Sequence, residues 1–588
     1  MKNMSNLSIK NLKLNLIWPY LVIIIIAFVY ALPQLNVRGI YVGADSSFHF
    51  NRAFEAMSRL KYLNFHNSQI SLYGFNASGR IINALYGPGL GYFFGVVLLL
   101  TKSWLKFQLV TNFILTVGTI SLSYWLFNKY SRQKFLSLVF AVILSLTSYW
   151  SIGYWYQSAG GMTWGMMFMP LVIDSGIRMH INQQRPVGSI RLGFIMALIL
   201  ETHMLSFLFS FIVLVAFFIT GLLVNKNRWL LIKQTTIAGL IGLGLTLGYW
   251  ADYFSIMRTQ SILSPFVDLH PANVVVHLSQ GLSLWLLVLT IVLIVALRGR
   301  LAIFEWVLFI CGITFLIVAS GPNILLNHWN DIFVFRIIQF PMRFALPGCY
   351  LVSLLVILLL SQMIKQLPLK RSYVFAIGLG LLLIASTTIK QQFLSNMTVN
   401  QRFWQNSDFV ASRFYGPRRD VDTKLTVQKD LQSRNSGFEK TIRAINFWSP
   451  DYLPGKGFVY YNDDNEKNVQ AELISPNAFK KHISKKGDLV VTWNQSKAYT
   501  TKVPIIVYKQ SKVVINGHNV KPQTTINGVL KVNGNQGKNI VVLGIKMPII
   551  VKIAKFAPAI ILIVISIMVV VKRKEKTTDL DVIETFLN

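Results

Sequence analysis

Long apolar runs recur along this chain and restrict it to one broad class of fold. Most are roughly 17 to 25 residues long, which is the length that an α-helix needs to cross a bilayer. Backbone polar groups in lipid must be paired within the segment, so the runs are predicted to be helices. The composition agrees, because 53% of the 588 residues are hydrophobic and only 14% are charged. The sequence therefore predicts an α-helical polytopic membrane protein, and Cys311 and Cys349, both in apolar runs, predict no disulfide framework.

The positions of the runs predict the number of spans. No small-residue cleavage site follows the first run, Ile17 to Leu35, so we interpret it as a retained span and not as a signal peptide. The run at 85–101 is short and opens with Gly87-Pro88-Gly89, so it could be re-entrant or lie along the outer surface. We expect about 12 spans, or 13 if this run crosses. The other runs lie at about 107–127, 135–152, 163–177, 192–203, 204–224, 234–250, 279–297, 301–319, 343–361, 372–388 and 547–571.

Clusters of Lys and Arg between the runs predict the orientation. The formal net charge is +34, and basic residues of membrane proteins concentrate in cytoplasmic loops. Topology therefore explains the charge better than nucleic-acid binding does, and we expect no nucleic-acid partner. The predicted parts are a cytoplasmic N-terminus 1–16, a transmembrane region 17–388 with an outer first loop 36–84, an extracytoplasmic domain 389–546, a last span 547–571 and a cytoplasmic tail 572–588.

The extracytoplasmic domain has strand patterns in its second half. Asn-Gly pairs at 516–517, 527–528 and 533–534 are typical of hairpin turns. We expect a small antiparallel β-domain that helices tether at both ends, and its surplus of basic residues suits an anionic polymer. The predicted strands lie at 488–493, 503–508, 512–515 and 540–543.

The densest group of polar residues near a membrane face begins just beyond the first span. Asp45, His49 and Arg52 are spaced i, i+4 and i+7, so on a helix they share one face. A carboxylate, an imidazole and a guanidinium together can take a proton and hold a phosphate. The structural alternative has about equal weight on spacing alone. It is an amphipathic surface helix that Asp45 or Ser46 caps and that aromatic side chains anchor at the interface.

This stretch resembles the first external loop of GT-C-fold membrane glycosyltransferases, including oligosaccharyltransferases. Two further motifs, Gln339-Phe-Pro-Met-Arg-Phe344 and Asp451-Tyr-Leu-Pro454, narrow the resemblance, as does an apolar helix pair with His203 at its outer tip. Together they resemble the bacterial multi-spanning proteins labelled "6-pyruvoyl-tetrahydropterin synthase-related", close to YfhO-like proteins, over most of the chain. One loop departs from that pattern, because Gln157 and Met162 stand where those proteins carry Arg and Glu.

The resemblance implies a GT-C-type glycosyltransferase in the bacterial plasma membrane, with its active face outside the cell. The donor would be a sugar on a polyprenyl phosphate in the bilayer. The acceptor would be a hydroxyl of an anionic cell-envelope glycopolymer, such as a teichoic acid or a wall polysaccharide. Asp45 would act as the general base, and His49, Arg52 and Arg343 would bind or neutralise the departing phosphate, with inversion at the anomeric carbon.

Three more residues are candidate ligands of substrate or phosphate. Glu201 and His203 lie at the turn of a helix hairpin, and Arg258 lies in the outer loop 251–278. For each, the alternative is an ordinary solvated or interfacial side chain. A divalent metal is also open, with Asp45 as its ligand, although no second carboxylate is evident nearby.

Two other function classes remain open from the sequence. One is a flippase or transporter of lipid-linked sugars, and the other is a non-catalytic membrane protein that binds envelope polymer. A transporter should show internal repeats, and no short-period repeat is visible.

Overall fold

The computed structural model describes residues 2–37, 39–40, 45–147, 160–263, 270–276, 281–298, 301–367, 371–405, 429–433, 442, 451–456, 471–473 and 478–575. Most of these residues are helical, and the strands follow near the C-terminus. The helices of the first half are α1 (Lys2–Val37), α2 (Ser46–Tyr62), α3 (Ile82–Leu85), α4 (Pro88–Thr101), α5 (Trp104–Ser131), α6 (Lys134–Thr147), α7 (Gly161–Met166), α8 (Met169–Ile181), α9 (Ser189–Thr202), α10 (Met204–Val224), α11 (Arg228–Leu245) and α12 (Leu247–Met257). The later helices are α13 (Gly281–Ala296), α14 (Ile303–Ala319), α15 (Asn323–Leu326), α16 (Phe333–Ile338), α17 (Ala345–Gln366), α18 (Arg371–Gln405), α19 (Ile549–Ala554) and α20 (Ala557–Glu575), and short 3₁₀ turns lie at Phe75–Ala77, Pro271–Val274 and Pro341–Phe344.

Six of the described helices are long and apolar enough to cross a membrane. A seventh span results if α11 and α12, which meet at an angle of 69°, are one broken span. This number is below the predicted 12 or 13 because several apolar runs form helices too short to qualify. Helix α4 has 14 residues, about 21 Å at 1.5 Å per residue, against a hydrocarbon core of about 30 Å. The six are Ile17–Asn36, Trp104–Ser131, Met204–Val224, Pro341–Gln366, Ser372–Gln391 and Ile549–Met568.

Helix α17 lies at the centre of the helical core. Every residue from Phe344 to Ser361 is buried inside the protein, whereas only 11% of the apolar window of the last span, Ile549–Met568, is buried. Leu, Ile and Val make up half of α17, so apolar side chains cover every side of the helix. Cys349 lies within it, and both Cys349 and Cys311 are free thiols, as the sequence predicted.

Helix α2 is buried although its sequence is amphipathic. Glu55 organises the loop that follows it, because its carboxylate accepts hydrogen bonds from the backbone N–H groups of Leu72, Tyr73 and Gly74. Arg59 forms an ion pair with Glu55 at 2.8 Å, and both side chains are at most 2% exposed. The guanidinium also donates to four backbone carbonyls of the loop. This polar hub fixes the first outer loop against α2.

The same loop contains three consecutive non-glycine residues with a left-handed backbone. Phe75, Asn76 and Ala77 have φ angles of 53°, 60° and 47°. Lys481, from the first strand of the C-terminal β region, donates to the carbonyls of Asn76 at 2.7 Å and Ala77 at 3.2 Å. A third bond at 2.7 Å joins its Nζ to the Pro504 carbonyl. The strained turn is therefore held by a side chain some 400 residues further along the chain.

The β region is antiparallel, as predicted, but it forms two sheets. The strands are β1 (Lys480–Ile483), β2 (Leu489–Gln495), β3 (Tyr499–Ile506), β4 (Ser511–Ile515), β5 (His518–Asn519), β6 (Gln523–Thr524), β7 (Val529–Gly534) and β8 (Gly537–Ile545). The larger sheet has the order β1-β2-β8-β4-β5, and the smaller has the order β3-β7-β6. The Asn516-Gly517 pair is the two-residue turn between β4 and β5, which confirms the predicted hairpin there. The pair at 533–534 makes no hairpin, because β7 and β8 belong to different sheets.

The β region shares a hydrophobic core with the first outer loop. Ile70, Leu72 and Ile81 from that loop pack in one cluster with strand residues such as Val491 and Leu543. A backbone hydrogen bond of 2.7 Å from the Ile506 N–H to the Ser78 carbonyl joins the two parts. The sequence predicted a separate domain tethered by helices, whereas the β region packs directly on the first loop. Its predicted start at residue 389 falls inside helix α18, which continues to Gln405.

Candidate functional site

Asp45 stands at the N-terminus of α2 with its side chain accessible. It occupies the N-cap position, yet the side chain makes no capping hydrogen bond to the described first turn. Asp45 is exposed, whereas Phe48, His49 and Phe50 just after it are buried. The alternative of a capped surface helix therefore does not fit, and the aromatic side chains anchor α2 inside the protein, where Phe50 stacks on Trp104 at 4.8 Å.

Protein surrounds the Asp45 carboxylate although water reaches it. Burial raises the pKa of Asp45 above its ordinary value, and the positive charge of Arg343 acts in the opposite direction. Arg343 is itself fixed, since it donates to the Ile338 carbonyl at 2.7 Å and to Gln339 Oε1 at 2.6 Å. A base with a raised pKa faces a held guanidinium here.

His49 lies one helical turn after Asp45 and is 4% exposed. Burial, Arg52 and His203 together lower the pKa of His49 well below its ordinary value, so the ring is neutral near pH 7. Its Nδ1 has no hydrogen-bond partner among the residues that the structure describes. A neutral ring cannot neutralise a phosphate by charge, which differs from the role that the sequence suggested. It can still donate or accept one hydrogen bond.

Arg52 is clamped beside Tyr86, a residue that the sequence analysis missed. The Arg52 guanidinium lies 4.1 Å from the centre of the Tyr86 ring and donates to the Gly87 carbonyl at 2.6 Å. The Tyr86 ring is 6.0 Å from the His49 ring and 6.1 Å from the His203 ring, between centroids. Burial raises the pKa of Tyr86 to about 12, so its hydroxyl keeps its proton. Only the adjacent Gly-Pro-Gly turn signalled this position in the sequence.

Glu201 and His203 reach the site from the hairpin between α9 and α10. The Gly89 N–H donates to Glu201 Oε2 at 3.2 Å. The Ser206 N–H donates to His203 Nδ1 at 3.2 Å, which caps α10 and leaves the ring proton on Nε2. The hairpin approaches closely because Gly161 has no side chain: a Cβ there would lie 2.5 Å from the Tyr86 hydroxyl.

Tyr452 brings the C-terminal part of the chain to the site. It belongs to the Asp-Tyr-Leu-Pro motif, and its ring centroid lies 6.3 Å from that of Phe48 on α2. The Tyr508 hydroxyl donates to the Tyr452 carbonyl at 2.9 Å, and Arg80 donates to the carbonyl of Asp451. The motif is thus placed against the helix that carries Asp45.

Three further positions that the sequence singled out have different outcomes. Arg258 is exposed at the end of α12, where its neighbours Thr259 and Gln260 bond to Gln510 of the β region. Gln157 lies outside the described residues. Met162 is buried, and its carbonyl accepts a hydrogen bond from the Ser206 hydroxyl at 3.2 Å, so that position supports the helix hairpin.

A metal site does not emerge from the described part of the chain. No group of three or more His, Cys, Asp or Glu side chains is arranged there to hold an ion. The guanidinium groups near Asp45 carry positive charge and offer a cation no acceptor, although a neutral imidazole such as His49 is a common metal ligand. The described residues thus offer no arranged set of three ligands, and the chemistry proposed below is derived from side chains.

Comparison with known proteins does not assign the chain to a family. No protein family and no curated protein match its sequence. Among solved structures, the chain is similar to the oligosaccharyltransferase of Archaeoglobus fulgidus in its apo form, at 12% identity and a TM-score of 0.40. The similarity covers 73% of this chain and 64% of that one, so the chain spans less than two thirds of that protein's length.

Proposed function

We propose that this protein is a membrane glycosyltransferase of the GT-C type. It moves a sugar from a polyprenyl phosphate to a hydroxyl of an extracytoplasmic envelope glycopolymer. The observation that carries the proposal is that an accessible carboxylate and two fixed guanidinium groups, from distant parts of the chain, all lie close enough to Tyr86 to influence its hydroxyl. Asp45 and Arg52 come from α2, and Arg343 comes from the turn before α17.

The carboxylate suits the acceptor side of the reaction. Asp45 takes the proton of the acceptor hydroxyl as the hydroxyl oxygen attacks the anomeric carbon of the donor. The bond from that carbon to the phosphate oxygen breaks, and the electron pair leaves with the phosphate. One displacement of this kind inverts the anomeric centre. The raised pKa of Asp45 brings the base nearer to neutral pH, where proton transfer is more effective.

The guanidinium groups suit the leaving phosphate. Arg52 and Arg343 are both held by hydrogen bonds to backbone carbonyls, so they need little rearrangement as negative charge develops. His49 and His203 lie beside Arg52 as neutral rings and offer hydrogen bonds instead of charge. The site thus offers positive charge to the phosphate and the Asp45 carboxylate to the acceptor hydroxyl.

Asp45→Asn tests this mechanism. Asn keeps the size of the side chain and caps helices about as well as Asp, but it cannot accept the proton. Loss of a general base costs on the order of 100- to 10,000-fold in rate. We expect normal abundance of the variant and loss of the transferred sugar, measured as sugar attached to purified envelope polymer from cells that carry only the variant.

Asp331→Asn is the matched control, because Asp331 is an exposed aspartate whose contact is with His328, three residues away. It should leave the modification unchanged. Near-normal modification by Asp45→Asn would refute the mechanism and favour a flippase or a non-catalytic polymer-binding protein.

A further inference from the structure

A cavity of about 230 Å³ lies beside Arg52, which also contacts the Tyr86 ring. It is enclosed by α2, the N-terminal turn of α4, the break between α11 and α12, and the start of the last span. Its volume exceeds many times the roughly 10–15 Å³ that one water needs, and it is below the range of about 300–1,000 Å³ of drug-sized pockets. A small polar unit can therefore occupy it. Its polar and aromatic walls include Arg52, Glu55, Arg59, Tyr92, Glu201 and Tyr249.

The charges around the cavity cancel. Glu55 pairs with Arg59 at 2.8 Å, and Asp252 pairs with Lys555 at 2.9 Å. Arg52 and Glu201 also carry opposite charges when Glu201 is ionised, and burial raises the pKa of Glu201 to about 7. A wall without net charge gives an isolated phosphate or carboxylate little to offset its desolvation. The cavity therefore favours an uncharged ligand.

Two buried donors in these walls lack partners. Arg52 is 3% exposed and Arg59 is 1% exposed, and the Nε atom of each has no hydrogen-bond partner among the described residues. Buried N–H groups of this kind are normally paired with protein, water or ligand. An acceptor inside the cavity would satisfy them.

We propose that this cavity binds one ring of a neutral carbohydrate, next to the sugar that is transferred. A sugar hydroxyl both donates and accepts, so one ring can bond to guanidinium N–H groups and to carboxylates. The apolar face of a sugar ring can pack on an aromatic side chain such as Tyr92 or Tyr249. The inference rests on the proposed glycosyltransferase function, because Arg52 forms the wall between the two sites.

A substitution at Gly91 can test the cavity directly, because this residue lines it. A Cβ there would stand 3.5 Å from Arg52 Nη2, which is an ordinary contact, so a larger side chain would enter the space beside Arg52. Gly91→Leu should fill the cavity, and a helix interior tolerates Leu better than Gly. The matched control is Gly239→Leu on α11, where a Cβ would meet nothing within 4 Å.

Saturation-transfer-difference NMR on the full-length protein in detergent micelles tests the inference. The probes are methyl glycosides of neutral hexoses and N-acetylhexosamines, with inorganic phosphate as a competitor. We expect at least one glycoside to give a signal that Gly91→Leu weakens at least tenfold and that Gly239→Leu retains. Phosphate should not displace it. Tyr92→Ala, which removes an aromatic wall, should weaken the same signal if Gly91→Leu fails to fold.

Absence of any glycoside signal, persistence of the signal in Gly91→Leu, or displacement by phosphate would overturn the assignment. The Asp45→Asn protein separates this outcome from failure of the proposed function. Asp45 does not line the cavity, so the variant should still bind the glycoside. If Asp45→Asn binds the glycoside and also modifies the envelope polymer normally, the transferase mechanism is refuted but the carbohydrate site is supported.

Discussion

Glu55→Gln should destabilise the protein more than any single change on its surface. The Glu55 carboxylate accepts four hydrogen bonds of 2.7 to 3.2 Å from backbone N–H groups, and it neutralises the buried Arg59 charge. A glutamine amide replaces one oxygen with an N–H donor, which would then face other donors. Removal of one partner from a buried ion pair costs about 3–5 kcal/mol, because the other charge stays buried without compensation.

The expected shift in melting temperature follows from the size of the chain. At about 2.1 cal/mol/K per residue, 588 residues unfold with an entropy of roughly 1.2 kcal/mol/K. A loss of about 3–5 kcal/mol therefore lowers Tm by roughly 2.5–4 °C. The assay is thermal unfolding of the purified protein in detergent, followed by tryptophan fluorescence at one scan rate, because unfolding of large proteins is often irreversible.

Asp331→Asn serves as the comparison here as well, since both members of its ion pair are more than two-thirds exposed. Exposed substitutions usually change stability by no more than about 0.5 kcal/mol, so its Tm should stay within about half a degree. Equal melting temperatures for Glu55→Gln and Asp331→Asn would refute the role assigned to the buried hub.

Three further predictions concern the site and the β region. As pH falls, the transfer rate should drop with an apparent pKa above the ordinary Asp value of about 4, because burial raises the pKa of Asp45. Arg343→Gln should move this apparent pKa higher still, since the Arg343 charge lowers the pKa of Asp45; a shift to lower pH would contradict this. Lys481→Met should cost about 1.5–3 kcal/mol in thermal unfolding and reduce transfer, whereas Lys480→Met, an exposed neighbour, should do neither. Gly517→Ala should cost about 1–2 kcal/mol, because φ is 89° there; an unchanged Tm would show that the turn tolerates a side chain.

Local patterns predicted the helices and strands of this chain better than they predicted its packing. Asp45, His49 and Arg52 have a spacing that places them on one face of a helix, and they do lie at the start of α2; alternation with Asn516-Gly517 predicted the β4–β5 hairpin. Both depend on neighbours in sequence. The number of spans was predicted less well, because hydropathy alone does not show where a run bends, as it does between α11 and α12.

Contacts between distant segments were the part that the sequence could not supply. Tyr86 meets His49 and His203 through rings from three separate elements, and no periodicity relates those positions. The β region packs on the first loop through complementary shape as well as apolar residues. Sequence patterns do not reveal shape, so a tethered domain was expected. Arg258 was a candidate only because of its loop, and tertiary structure places it away from the others.

The left-handed turn at Phe75–Ala77 ties the assembly of the site to the order of protein synthesis. Each of its three residues pays about 1–2 kcal/mol for that backbone conformation. Phe75 packs against Phe48 on α2, with ring centroids 5.5 Å apart, so the turn shapes the wall beside Asp45. The ammonium group that holds it belongs to Lys481 and leaves the ribosome some 400 residues later. The first loop is therefore made long before the side chain that holds it, and this wall closes only when the β region has folded onto it. A chain that ends before Lys481 lacks the group that holds the turn beside α2.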